Sequence, residues 1–187
     1  MIRAFVALEL PANIRERLAM IRPAIPDARW VEADDMHLTL RFLGACQEPV
    51  LDDICERLAD VTPGPLELIP SELGCFGHSH MRAVWIGIEK ADALDHLRRH
   101  VERIAQNAGL EPDGRKYAPH ITLARMTRAP SPSVARALGE QGRTRIPAFH
   151  VRTMTVLSSG RSRGGGPYRV EARYDLEPEN KVHDQQT

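Results

Sequence analysis

Cysteine is scarce in this 187-residue chain: Cys46, Cys55 and Cys75 are odd in number and show no Cys-x-x-Cys spacing. That excludes a disulfide-stapled scaffold and a zinc knuckle, and points to a reducing, cytoplasmic setting. Long apolar runs are missing too. Nothing approaches the roughly 20 residues of a membrane span, so no membrane partner is expected. The opening Met1-Ile2-Arg3-Ala4-Phe5-Val6-Ala7-Leu8-Glu9-Leu10 is too short and too charged for a signal peptide and reads as a strand. Net charge is absent as well, with 25 Lys+Arg against 25 Asp+Glu. No linker interrupts residues 1–176, which are read as a single domain, and the polar residues 177–187 are expected to be a disordered tail. A chain of this length buries roughly 70% of its unfolded surface, enough for a core without metal or disulfide.

The zero net charge hides an asymmetry. Residues 115–173 hold twelve Lys+Arg and only Glu140 and Glu171 as acids, so this stretch carries +10 and the remainder −10. Of the 25 basic residues 22 are Arg, whose planar fork matches phosphate oxygens. Charge alone is equally consistent with an anionic ligand such as RNA and with a merely solvated basic face.

Apolar periodicity and turn signals predict an α+β fold. Strands are predicted at 2–10, 36–43, 66–75, 82–89, 118–126, 147–158 and 168–176. Helices are predicted from the stripes Ile14, Leu18, Ile21 and Leu51, Ile54, Cys55, Leu58, over 92–108, and briefly around Val134 to Leu138. The order in the first half repeats in the second.

Among the eight histidines two stand in the same pattern: His37-Leu38-Thr39-Leu40 and His120-Ile121-Thr122-Leu123. On a strand, His37 and Thr39 share one face, as do His120 and Thr122, while the apolar partners point the other way. One such tetrad is a weak signal; two at equivalent places are strong. Paired imidazoles suit transfer at phosphorus, where one proton leaves the attacking oxygen and another reaches the departing one. The threonine hydroxyls can hold the non-bridging phosphate oxygens as charge develops. No metal and no cofactor are required. His78 with His80, and His96 with His100, have spacings that a metal could use, yet neither pair has the further ligands of a site.

The tetrads, with Phe5-Val6-Ala7-Leu8-Glu9-Leu10-Pro11, Arg41-Phe42-Leu43-Gly44, Gly74-Cys75-Phe76, Val84-Trp85 and Tyr117-Ala118-Pro119, resemble the 2H phosphoesterase superfamily. The likeness is strongest to its RNA 2′,3′-cyclic phosphodiesterase, or 2′-5′ RNA ligase-like, branch. It implies two pseudo-symmetric lobes, each an antiparallel sheet with flanking helices, whose His-x-Thr-x strands face a central groove. It also implies hydrolysis of RNA or nucleotide 2′,3′-cyclic phosphates to 2′-phosphomonoesters, with His37 as proton donor and His120 as proton acceptor. Arg125 matches a phosphate-contacting position, although plain alternation aims it at the apolar face and a strand end or bulge must redirect it. Arg41 shares the parity of His37 and Thr39, which places it either at the groove or as a solvated neighbour of it. Phe42, Phe76 and Tyr168 are candidate base or groove contacts, and Gly160 to Tyr168 resembles a glycine-containing hairpin closing the groove. A monomer is expected. Two readings stay open beside hydrolysis: 2′-5′ ligation by the reverse chemistry, and a non-catalytic RNA-binding module that would need no paired histidines.

Overall fold

The run Ala4–Leu8 is buried without a break in β1 (Ile2–Glu9), as befits a strand covered on both faces. The computed structural model, which describes residues 1–25, 27–76, 83–126, 146–160 and 166–177, is organised around it. The carbonyl of Pro11 receives the amides of Ile14 and Arg15 at 3.0 Å, which starts α1 (Ala12–Ala19) and turns Ile14 and Leu18 inward. β2 (Ala28–Trp30), a single 3-10 turn at Ala33–Asp35 and β3 (His37–Cys46) follow. α2 (Glu48–Leu58) buries Leu51, Ile54 and Leu58 of the predicted stripe and leaves Cys55 half-buried. Next come β4 (Leu66–Leu68), β5 (Pro70–Phe76) and β6 (Ala83–Ile88). α3 (Asp92–Asn107) buries Leu94, Leu97, Val101, Ile104 and Ala105. Gly109 ends it at φ +92°, where the Leu110 amide reaches back to the Ala105 carbonyl at 3.0 Å, a closure that needs left-handed backbone. β7 (His120–Met126), β8 (Phe149–Val151), β9 (Thr153–Ser159) and β10 (Tyr168–Asp175) complete the described chain.

All the pairings are antiparallel, and the main sheet runs β10-β9-β1-β3-β7-β6-β5, with β2 added to β7. Its two halves meet at a seam. β3 and β7 share the single register pair Leu38↔Ile121, after which β2 takes over the same strand through Ala28↔Met126, Arg29↔Arg125 and Trp30↔Ala124. The predicted lobes are therefore present as halves of one continuous eight-stranded sheet. β4 and β8 form a separate two-stranded pair.

Both tetrad strands bulge at the same place. The register between β1 and β3 steps from Ala7↔Thr39 to Val6↔Arg41, leaving Leu40 as the extra residue. Between β6 and β7 it steps from Trp85↔Thr122 to Val84↔Ala124, leaving Leu123. A one-residue insertion reverses which face the side chains after it take, on β3 until a second step at Leu43, between Phe5↔Phe42 and Ala4↔Gly44. Accordingly Leu40 and Arg41 are both buried, as are Leu123 and Ala124.

Arg41 thus corrects a sequence expectation. Carried to the face opposite His37, it is 8% exposed, with Nε 2.6 Å from Glu102 of α3 and Nη2 donating to the Glu111 carbonyl at 2.6 Å. Two predicted single strands are also divided, 66–75 at Ile69 and 147–158 at Arg152. β2 and the 3-10 turn were unforeseen. The helix around Val134 and the tail beyond Glu177 lie outside the described residues.

Candidate active site

The tetrads meet across the seam. Because Leu38 faces Ile121 in an antiparallel pair, the neighbouring positions bring His37 toward Thr122 and Thr39 toward His120. The two histidines and two threonines share the partly buried face of their strands, while Leu38, Leu40, Ile121 and Leu123 fill the core beneath.

Each imidazole is held in the same way. His37 Nδ1 lies 2.7 Å from the carbonyl of Asp35, and His120 Nδ1 lies 2.8 Å from that of Ala118, two residues earlier in both cases. A carbonyl only accepts, so Nδ1 carries the proton and donates it, and Nε2 is the basic nitrogen of the neutral ring. The surroundings differ. His37 is wedged between Phe5, with ring centroids 4.8 Å apart, and Tyr168, edge-on at 5.2 Å. His120 meets the Trp85 ring at 6.2 Å. A Cβ on Gly74 would overlap that indole, so the absence of a side chain in β5 lets Trp85 lie where it does.

Burial lowers the His37 pKa to about 4, with Arg125 and His120 adding to the shift and the Asp35 carbonyl opposing it. His120 is lowered as well, first by burial and then by Arg125, against the opposing Ala118 carbonyl. Both rings are therefore neutral in the free site at neutral pH. An anionic phosphate between them would favour protonation and offset the burial.

Arg125 acts electrostatically on both histidines, which puts its charge at the seam. The bulge at Leu123 supplies the change of face that simple alternation denied it. The same device carries Phe42 to the matching position on β3. Phe42 is 43% exposed, 5.8 Å from Phe5, with the Arg115 guanidinium 5.3 Å from its ring centre. Tyr168 adjoins His37 as described, while the side chain of Phe76 and residues 161–165 of the expected hairpin lie outside the described residues. His96 and His100 are exposed on α3 and His150 is exposed on β8. His78, His80 and His183 are outside the described residues.

Phe5, Asp35 and Trp85 were not singled out from sequence as site residues. Phe5 alternates with Ala7 and Glu9 on a strand whose Glu9 pairs with His37, a signal visible only once the register is known. Among the described residues no cluster of three or more His, Cys, Asp or Glu has the arrangement of a metal site. No described helix is long and apolar enough to cross a membrane.

Comparisons with known proteins agree with this architecture. Residues 10–163 match the family described as the 2′-5′ RNA ligase superfamily. An RNA 2′,3′-cyclic phosphodiesterase from Aeropyrum pernix is 33% identical over 161 residues, covering 82% of this chain and 92% of that protein. A protein of the same name from Aquifex aeolicus is 26% identical, covering 94% of this chain and 97% of that one. The crystal structure of E. coli LigT complexed with 3′-AMP superimposes with a TM-score of 0.75 at 27% identity, covering 94% of this chain and 98% of that one. By sequence and by fold, this chain belongs to the 2′-5′ RNA ligase superfamily.

Proposed function

We propose that the protein hydrolyses the 2′,3′-cyclic phosphate at an RNA end to a 2′-phosphomonoester by proton transfer between two histidines. The observation that carries this reading is the matched pair at the seam: two rings, each donating Nδ1–H to the backbone carbonyl two residues earlier, which makes Nε2 the basic nitrogen of each neutral ring. The activity named for its relatives points to the substrate. Nε2 of His120 takes a proton from water as its oxygen attacks phosphorus. Nε2 of His37, protonated in the complex with the anionic substrate, gives a proton to the 3′ oxygen as the bond from phosphorus to that oxygen breaks. The proton left on His120 returns to solvent, and His37 regains one from it.

Charge accumulates on the two non-bridging oxygens. The hydroxyls of Thr39 and Thr122 and the guanidinium of Arg125 are the donors assigned to them. Phe42 and Tyr168 flank this centre as groove contacts for the nucleotide. These proton transfers call for no metal and no cofactor.

The test uses a short RNA ending in a 2′,3′-cyclic phosphate, incubated with the protein in EDTA beside His37→Ala and His120→Ala, with products identified by mass spectrometry and NMR. The wild type is expected to release a 2′-phosphate, and each variant to lose about 10²- to 10⁴-fold in rate. Variants as active as the wild type would remove the mechanism. A wild type that binds the RNA without converting it would leave a binding module.

A further inference from the structure

Asp35 takes no part in the proton transfers, yet it touches their surroundings at two ends. Its backbone carbonyl receives the His37 Nδ1 proton at 2.7 Å. Its carboxylate Oδ1 accepts the amide of Tyr168, the first residue of β10, at 3.1 Å. Tyr168 in turn stands edge-on to both His37, at 5.2 Å, and Phe5, at 5.1 Å. The backbone between these contacts is fixed, since the Asp35 amide bonds to the Glu32 carbonyl at 3.0 Å and Met36 to Ala33 at 3.2 Å.

Gly166 supplies an independent sign of the same clasp. A Cβ there would collide with the Asp35 carboxylate, and φ is +83°, a conformation that a side chain disfavours. The chain entering β10 is thus shaped to admit this one carboxylate. A recess of about 310 Å³ opens beside it, bordered by Asp35, His37, Tyr168 and Leu157.

We propose that Asp35 is a positioning residue for His37: its carbonyl sets the ring tautomer, and its carboxylate pins the start of β10 so that Tyr168 packs against the imidazole. The proposal rests on the reading of His37 as a proton-transfer group, but its central measurement does not require activity. A backbone amide needs only an acceptor, so an amide oxygen can replace the carboxylate and a methyl group cannot. The charged and titratable groups around His37, besides Asp35 itself, are Glu9 from β1, Asp34 from the 3-10 turn, His120 and Arg125 from β7, Arg15 from α1, and Tyr168 and Arg173 from β10. None of these is altered by substitution at position 35. Burial is the main cause of the lowered His37 pKa, so releasing Tyr168 and admitting water is expected to raise it.

The experiment follows the ring nitrogens of His37 and His120 by NMR as the substrate-free full-length protein is titrated, for wild type, Asp35→Ala, Asp35→Ser and Asp35→Asn. In Asp35→Ala the His37 midpoint is expected to rise by about one pH unit or more, with His120 moving much less. On the cyclic-phosphate RNA, kcat is expected to fall roughly tenfold with the acid side of its pH profile displaced. Asp35→Asn is expected to restore most of both. If Asp35→Ala does not fold, Asp35→Ser, whose short hydroxyl falls short of the amide, carries the same comparison. An unmoved His37 titration in a folded Ala or Ser variant overturns the proposal. So does an Asn variant as disturbed as Ala, since charge rather than the clasp would then be responsible. A wild type with no hydrolytic activity defeats the proposed function alone, because the titration still decides the role of Asp35.

Discussion

An imidazole that donates from Nδ1 has Nε2 as its basic nitrogen, and the seam presents two such rings with Arg125 acting on both. Replacing Arg125 by Met removes a positive charge that disfavours each imidazolium, so both histidine midpoints measured by NMR are expected to rise. At the same time kcat/KM on the cyclic phosphate is expected to fall by about 10²-fold, as for loss of one donor to a developing anion. Stability carries a signature of His37. Its pKa is about 4 in the fold against an ordinary value of 6.5, so the unfolded chain binds the proton first. The contribution of this residue is complete above pH 6.5 and declines as pH falls toward 4, by about 3 kcal/mol in all. Urea unfolding from pH 7 to pH 4 is expected to show a steeper loss for wild type than for His37→Gln; parallel curves would refute it. At this scale the sequence was informative, because a repeated His-x-Thr-x needs only strand parity to place four polar groups on one face. The tautomer-setting carbonyls were illegible, since any residue offers one.

Strand parity alone assigns Arg41 to the groove and Arg125 to the core, and the bulges at Leu40 and Leu123 reverse both assignments. Arg41 instead pairs with Glu102 in a setting where the two side chains are 8% and 12% exposed. Removing one partner strands the other, so Arg41→Ala is expected to lose about 3–5 kcal/mol in urea unfolding. A double replacement of Arg41 and Glu102 by Met and Leu is expected to recover most of that loss. Gly74 acts through contact with Trp85. Gly74→Ala is expected to displace the indole, lower stability by about 1–3 kcal/mol and change the tryptophan emission and the His120 ring resonances together. A crystal structure of the variant with Trp85 unmoved would contradict this. Helices were readable from their apolar stripes, whereas β2 was not, since three residues have no period to display.

Across the molecule, the order of the chain and the halves of the sheet do not coincide. β9 and β10, the last strands in sequence, pair onto β1 and complete the sheet half that begins the chain, while β5, β6 and β7 form the other. Of the basic stretch 115–173, β7 therefore lies on one side of the seam and β9 and β10 on the other. If this stretch follows an RNA strand beyond the reacting nucleotide, kcat/KM for an oligonucleotide falls with salt by about 0.7 in log-log slope per phosphate contacted. A mononucleotide 2′,3′-cyclic phosphate is expected to show a clearly shallower slope in the same potassium chloride series. Equal slopes would confine recognition to the cyclic phosphate itself.

What the sequence determined by itself was the class of element and the repeated pairing of His with Thr on one strand face, because periodicity and side-chain parity are local properties. Tertiary structure decided which strands lie side by side, where Leu40 and Leu123 reverse the faces, and how Asp35 comes to hold Tyr168, 133 residues away. Those are outcomes of register between distant segments, and register is chosen by how buried side chains pack together, which no single segment contains.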